Sequence, residues 1–203
     1  MKTLVLIDVQ NDFMPGGALA VPEGDQIVPL VNDLQDKFDL VIATQDWHPP
    51  RHASFASSHE NSEEFEVIKL DGIDQVLWPD HCIQNTKGAN FHPKLKTSKI
   101  EAIFRKGTDI KIDSYSGFYD NAHQKSTGLS GYLKEKGAGE LYFAGLAAEY
   151  CVYFSILDAL AEGFQATLIE DATRALNNEE FEKAKIAILR KGGKIITSGE
   201  LII

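Results

Sequence analysis

The segment Thr44-Gln45-Asp46-Trp47-His48 places a carboxylate and an imidazole two residues apart, directly after the apolar run Leu40-Val41-Ile42-Ala43. Just past the end of a strand both side chains can turn toward one point, and such a pair is half of a divalent metal site. His81, in the Pro-interrupted loop Trp78-Pro79-Asp80-His81-Cys82, is the candidate for the other half. The alternative is that Asp46 caps a turn and His48 is a solvated loop histidine. Asp8 ends the first apolar run, Lys106 follows a third, and Cys151 lies in the loop-to-helix turn after a fourth. A thiol at a helix start feels unpaired N–H groups and the positive end of the dipole, which predicts a lowered pKa for Cys151. A buried carboxylate beside a lysine can take the thiol proton and pass it to a leaving amine. Asp8, Lys106 and Cys151 thus form a coherent acid/base and nucleophile set. Each also has a plainer reading: Asp8 as a structural acceptor, Lys106 as a surface lysine, Cys151 as a small buried hydrophobe. Cys82 fits the plainer reading better, although its place beside His81 leaves it a chance as a metal ligand.

The elements that must position these groups are legible as alternating patterns. Thr3 to Val9 and Leu40 to Thr44 are continuous apolar runs, as expected of strands buried on both faces of a parallel sheet. Between them Ile27, Val28, Leu30, Val31, Leu34 and Phe38 recur at helical spacing, with Asp25 placed to cap the start. Further strands are predicted at 102–105, 141–144, 166–169 and 194–197. Helices are predicted near 129–136, 150–162 and 179–191, closed by Gly137, Gly163 and Gly192. The pattern predicts an α/β doubly wound fold, a mainly parallel six-stranded sheet with helices on both faces, as a single domain over residues 1–203. Ligands of open α/β sheets bind outside the carboxyl ends of the strands, where Asp8, Asp46, Lys106 and Cys151 all fall. Two long irregular segments, 10–24 and 45–90, carry short strands at most, at 67–70 and near Val76. They also carry Phe13, Trp47, His48, His52, Trp78 and His81, and they read as walls of a site.

Composition narrows the class of partner. The 203 residues are 43% hydrophobic, enough to bury a full core, and the formal charge of −10 argues against a nucleic-acid binder. No run approaches a membrane span, and Thr3-Leu4-Val5-Leu6-Ile7 runs at once into Asp8 with no cleavage site, as a first strand does and a signal peptide does not. Two cysteines cannot build a disulfide framework, which points to a reducing cytoplasm. A small molecule is the expected partner, and a homo-oligomer is left open.

Five pieces, in order and from end to end of the chain, resemble the nicotinamidase branch of the isochorismatase-like cysteine hydrolases. They are Leu6-Ile7-Asp8-Val9-Gln10-Asn11-Asp12-Phe13, Thr44-Gln45-Asp46-Trp47-His48-Pro49, Trp78-Pro79-Asp80-His81-Cys82, Lys106-Gly107-Thr108-Asp109, and Gly145-Leu146-Ala147 through Tyr150-Cys151-Val152. The resemblance implies an amidase that converts nicotinamide to nicotinate and ammonia through a cysteine thioester in NAD salvage, with pyrazinamide as a second substrate. It implies Asp8, Lys106 and Cys151 as the catalytic triad and Asp46, His48 and His81 as metal ligands. Phe13 and Trp78 would be the aromatic walls around the pyridine ring. The backbone N–H groups of Ala147 and Cys151 would be the oxyanion hole, beside a cis Leu146–Ala147 peptide. Two nitrogens and one oxygen suit zinc foremost, with iron or manganese as alternatives. His52 or Ser54 is open as a further ligand, and Ala148-Glu149 stands where the family often has Thr-Asp. The rival readings are an amidase for another small amide and a non-catalytic metal-binding protein. An isochorismatase is disfavoured because its chemistry has no need of Cys151.

Overall fold

In the computed structural model, which describes residues 1–201, the elements follow one another as β1 (Lys2–Ile7), α1 (Ile27–Leu34), β2 (Leu40–Asp46), β3 (Val67–Leu70), β4 (Ile73–Val76), β5 (Ile100–Lys106), α2 (Leu129–Glu135), β6 (Glu140–Gly145), α3 (Tyr153–Ala161), β7 (Gln165–Thr173), α4 (Asn178–Arg190) and β8 (Lys194–Ile196). The expected end of the domain, at residues 202 and 203, lies outside the described residues. Six strands form one sheet in the order β5-β2-β1-β6-β7-β8, and every adjacent pair is parallel. The strand order reverses between β1 and β6, so a crevice opens at their carboxyl ends.

The continuous apolar runs follow from cover on both faces. Leu4 and Leu6 of β1 pack with Ile27, Val28, Val31 and Leu34 of α1. Val5 and Ile7 point the other way, into a second cluster with Leu129 and Leu133 of α2, Ile156 and Ala159 of α3, and Phe181, Ala184 and Ile188 of α4. Each fully buried Leu or Ile contributes roughly 1.5–3 kcal/mol relative to exposure. Helices therefore lie on both faces, as expected, with α1 alone on one of them.

Local details differ from the sequence reading at helix ends. Asp25 does not cap α1. It lies inside a 3₁₀ turn, Gly24–Gln26, that leads into the helix, and Gln26 takes the cap position without a side-chain bond. Pro29 is the third helical residue, where a missing N–H leaves no intrahelical bond unmade. Phe38 is beyond the helix, in extended backbone, with its ring 5.1 Å from that of Tyr142. The two short strands within residues 45–90 pair as an antiparallel hairpin whose turn, Asp71-Gly72, has φ of 48° and 86°. Two successive positive φ values match the twist of a two-residue hairpin, and Asp-Gly is a dipeptide that adopts them readily. Among the described residues, no helix is long and apolar enough to cross a membrane.

Candidate active site

β1 stops because the chain turns at Asp8, whose φ is 47°. The turn points the carboxylate at β2, where Thr44 Oγ1 donates to Asp8 Oδ1 at 2.6 Å and accepts from the Asp8 N–H at 3.3 Å. Lys106, the last residue of β5, reaches across β2 to the same place. Its Nζ lies 2.9 Å from Asp8 Oδ2 and donates to Asp46 Oδ1 at 2.7 Å, Ser114 O at 2.9 Å and Cys151 Sγ at 3.3 Å. Gly145 ends β6 with φ of 124°, and a Cβ there would stand 2.0 Å from Ile7 O, so only glycine lets β6 lie so close to β1. The cis Leu146–Ala147 peptide follows. A wide π-helical turn, Ala148–Val152, then carries Cys151 into the crevice ahead of α3. Asp8, Lys106 and Cys151 are all buried and meet at one point.

The electrostatics correct one expectation. Burial pushes the Cys151 thiol well above its ordinary value. Lys106 opposes the rise, but Asp8 and Asp46 add to it. The lowered pKa expected from a helix start is therefore not found, since desolvation and two carboxylates outweigh the backbone dipoles. Asp8 is raised as well, chiefly by burial, with Lys106 opposing and Asp46 adding. Burial would raise Asp46 too, yet Lys106 and His48 outweigh it and hold the carboxyl well below the ordinary range. Burial works against the Lys106 ammonium, but Asp46, Asp8 and Cys151 keep it charged, well above the ordinary lysine value. A neutral thiol thus sits beside a fixed ammonium and a carboxylate with raised proton affinity. That combination can move a proton from sulfur to oxygen as sulfur attacks.

Asp46, His48 and His81 also converge, their ligand atoms all lying within 4.8 Å of one another. His48 Nδ1 lies 3.1 Å from Gly107 O and His81 Nδ1 2.7 Å from Pro79 O. A carbonyl only accepts, so each ring carries a hydrogen on Nδ1 and turns Nε2, the atom a metal ion would take, toward Asp46. His48 Nε2 is buried and has no hydrogen-bond partner among the described residues. His48 Nε2 and His81 Nε2 stand 3.3 Å and 3.6 Å from Asp46 Oδ2. Ligands about 2.0–2.2 Å from one zinc ion are about 3.4 Å apart at the tetrahedral angle. These residues fit a divalent ion. Gln10 fixes the carboxylate's backbone from both sides, donating to Asp46 O and accepting from the Asp46 N–H, each at 2.8 Å. Phe55, wholly buried, packs its ring 5.4 Å from His48 and 5.6 Å from His81.

His52 lies beside His48, ring to ring at 4.5 Å, but both of its nitrogens are engaged, Nδ1 with Ser54 Oγ at 2.8 Å and Nε2 with Asp109 O at 2.7 Å. His52 and Ser54 brace the loop and present no free ligand atom to the centre. Cys82 is buried, its thiol pushed well up by burial, and its N–H donates to Asp12 Oδ2 at 2.7 Å.

One cleft joins the two groups, lying between Phe13, Trp78, Tyr115, Tyr150 and the edges of Asp46, His81, Ala147 and Cys151. Phe13 and Trp78 both stand in its wall. Tyr115, Tyr150, Leu19, Leu176 and Asp113 also line the cleft, and the sequence reading gave them no role. The run Asp113-Ser114-Tyr115-Ser116-Gly117-Phe118, in a third irregular segment after β5, was the available signal. Glu149 holds another wall: its carboxylate accepts from the N–H groups of Leu176 and Asn177 at 3.2 Å and 2.6 Å. That explains an acid at this position without any contact to a substrate.

Comparison with known proteins agrees with this arrangement. Residues 2–200 match the isochorismatase domain. A nicotinamidase of Escherichia coli is 46% identical over 187 residues, covering 90% of this chain and 87% of its own. A solved nicotinamidase/pyrazinamidase of Acinetobacter baumanii superposes with a TM-score of 0.97 at 46% identity, covering 99% of this chain and 98% of its own. A pyrazinamidase of Pyrococcus horikoshii, solved in complex with zinc, gives 0.80 at 38% identity, covering 97% of this chain and 98% of its own. With a cysteine, lysine and carboxylate at the crevice and this likeness along nearly its whole length, the chain belongs to the isochorismatase family, in its nicotinamidase branch.

Proposed function

We propose that this protein hydrolyses nicotinamide to nicotinate and ammonia, and pyrazinamide likewise. The observation that carries the reading is the Cys151 thiol, within hydrogen-bond reach of Lys106 and alongside Asp8, at the edge of an aromatic cleft lined also by Asp46 and His81, with His48 buried beside them. Phe13 and Trp78 would hold the ring, and the N–H groups of Ala147 and Cys151 would receive the carboxamide oxygen. As Cys151 Sγ bonds to the carboxamide carbon, its proton passes to Asp8, and the carbonyl electrons move to the oxygen held by the two N–H donors. The C–N bond then breaks while Asp8 returns the proton to nitrogen, releasing ammonia and leaving a thioester. Water, deprotonated by Asp8, attacks the thioester and frees the carboxylate and the thiol. Lys106 stays protonated throughout, offsetting the charge that develops on sulfur and on Asp8. A zinc, iron or manganese ion held by Asp46, His48 and His81 would supply a Lewis-acidic contact that orients the ring nitrogen.

The same reading places the protein in the cytoplasm, returning nicotinamide to NAD synthesis as a single-domain enzyme that needs neither nucleic acid nor membrane. Ammonia release from nicotinamide by the purified protein tests it. No release under conditions where the fold is intact refutes it, and release from other small amides alone reassigns the substrate.

A further inference from the structure

Asp113 is buried, lines the cleft, and belongs to no part of the chemistry above. Its Oδ1 lies 4.0 Å from His48 Nε2, the buried nitrogen without a hydrogen-bond partner among the described residues. The ligand atoms of His48, His52 and Asp113 lie within 4.8 Å of one another, next to the trio of Asp46, His48 and His81. Because both His52 nitrogens are engaged, Asp113 is the member of this second trio that can add a charge to the centre. The carboxylate is held in place from two sides. The Ser114 N–H donates to Oδ1 at 2.7 Å, and Gln75 Nε2, from β4, donates to Oδ2 at 3.3 Å. Gln75 also reaches Tyr115 OH at 3.1 Å and Val76 O at 2.7 Å, so the hairpin fixes the direction in which Asp113 points.

Two ligands of one zinc ion stand about 3.4 Å apart at the tetrahedral angle, and the 4.0 Å separation is longer than that. At that distance Asp113 stands outside a tetrahedral shell that includes His48, where it can meet the ion through water. Charge favours the same assignment. Asp8, Asp46 and Asp113 set three carboxylates around the single ammonium of Lys106, all buried, and a dication would close the formal balance. We propose that Asp113 is an outer partner of the metal centre, accepting a hydrogen bond from water on the ion held by Asp46, His48 and His81, and that it raises the affinity for that ion. The proposal rests on the three-ligand centre of the proposed function, and the test separates the two.

Zinc affinity is measured on metal-stripped protein by competition with a chromophoric chelator, independent of turnover, for the parent, Asp113→Asn, Asp113→Glu and Asp46→Ala. Outer partners of metal ligands are worth about 10–100-fold in affinity. Asp113→Asn keeps the side chain's size and should bind zinc about 10-fold or more weakly, while Asp113→Glu, which keeps the charge, should stay much closer to the parent. Affinity of Asp113→Asn within about threefold of the parent overturns the proposal, as does an equal loss in Asp113→Glu. Asp46→Ala should lose stoichiometric zinc. If it binds as the parent does, the three-ligand centre itself is wrong, whatever Asp113 does.

Discussion

Lys106 is the sole ammonium between two buried carboxylates, and its removal should be felt first as lost stability. In Lys106→Met the side chain keeps most of its apolar stem, but Asp8 and Asp46 lose the ammonium that stands between them. Breaking a buried ion pair by removing one partner costs about 3–5 kcal/mol. For a chain of this size about 2–4 °C of midpoint accompanies each kcal/mol, so the metal-free variant should unfold on the order of 6–20 °C lower. The pH dependence has a definite sign. Burial already raises Asp8 and Lys106 opposes the rise, so removing the lysine lifts the folded-state pKa further above the unfolded one. The penalty is then full above the folded pKa and disappears as the pH falls below the unfolded value, near 4. Adding Asp8→Asn to Lys106→Met removes one of the stranded charges and should restore at least half of the lost midpoint, with no return of activity. Differential scanning calorimetry of the metal-free proteins between about pH 4 and 8 reads all three effects. A midpoint within about 2 °C of the parent at neutral pH, or a double variant no more stable than the single one, would falsify the account of Lys106 as the charge that holds this site together.

Cys151→Ala should release no ammonia while still binding nicotinamide by calorimetry, whereas Cys82→Ala, which alters a buried thiol outside the cleft lining, should keep most of the parent's kcat; near-parental turnover in the Cys151 variant would remove it as nucleophile. Nicotinamide and pyrazinamide should be hydrolysed and benzamide, which has no ring nitrogen, should not; similar kcat/KM for nicotinamide and benzamide would take the metal centre out of substrate recognition. Gly107→Ala puts a methyl group 2.4 Å from His48 Cε1 at a φ of +63°, so it should weaken zinc binding by displacing that ring. Parental zinc affinity in a folded Gly107→Ala would mean that the loop can move without disturbing His48.

The sheet was legible because strands covered on both faces are uninterrupted runs of Leu, Ile and Val, and because reactive residues at the ends of four such runs have one place to meet. Asp46 and His48 could be paired from spacing alone, since β2 carries its register to Asp46. His81 could be proposed but not placed by spacing, because nothing local dictates how residues 45–90 fold back over the sheet. Tyr115, Tyr150 and Asp113 escaped for a related reason: their positions depend on contacts with β4 and with each other, such as Gln75 with Asp113, which carry no periodic signature. The expectation for Cys151 failed on energetics and not on location. Its place at the start of a helix was foreseen, but how completely it is buried between two carboxylates is a property of the assembled site. The same holds for Asp25, which local rules offer as a cap until a 3₁₀ turn takes its place.

The resting charge of Cys151 also bears on how the protein survives oxidative stress. Peroxides and alkylating agents attack thiolates, and the thiol here is buried and pushed well up, with Asp8 and Asp46 adding to the rise against the opposing Lys106. On the proposed mechanism the thiol gives up its proton to Asp8 only as it attacks the substrate's carbonyl, and it should stay inert toward reagents that offer no such carbonyl. Inactivation by hydrogen peroxide at neutral pH should accordingly be slower than oxidation of free cysteine, and a faster rate would mean that the thiolate is already present before substrate arrives. A catalyst built this way should lose activity to peroxide more slowly than an enzyme with a standing thiolate.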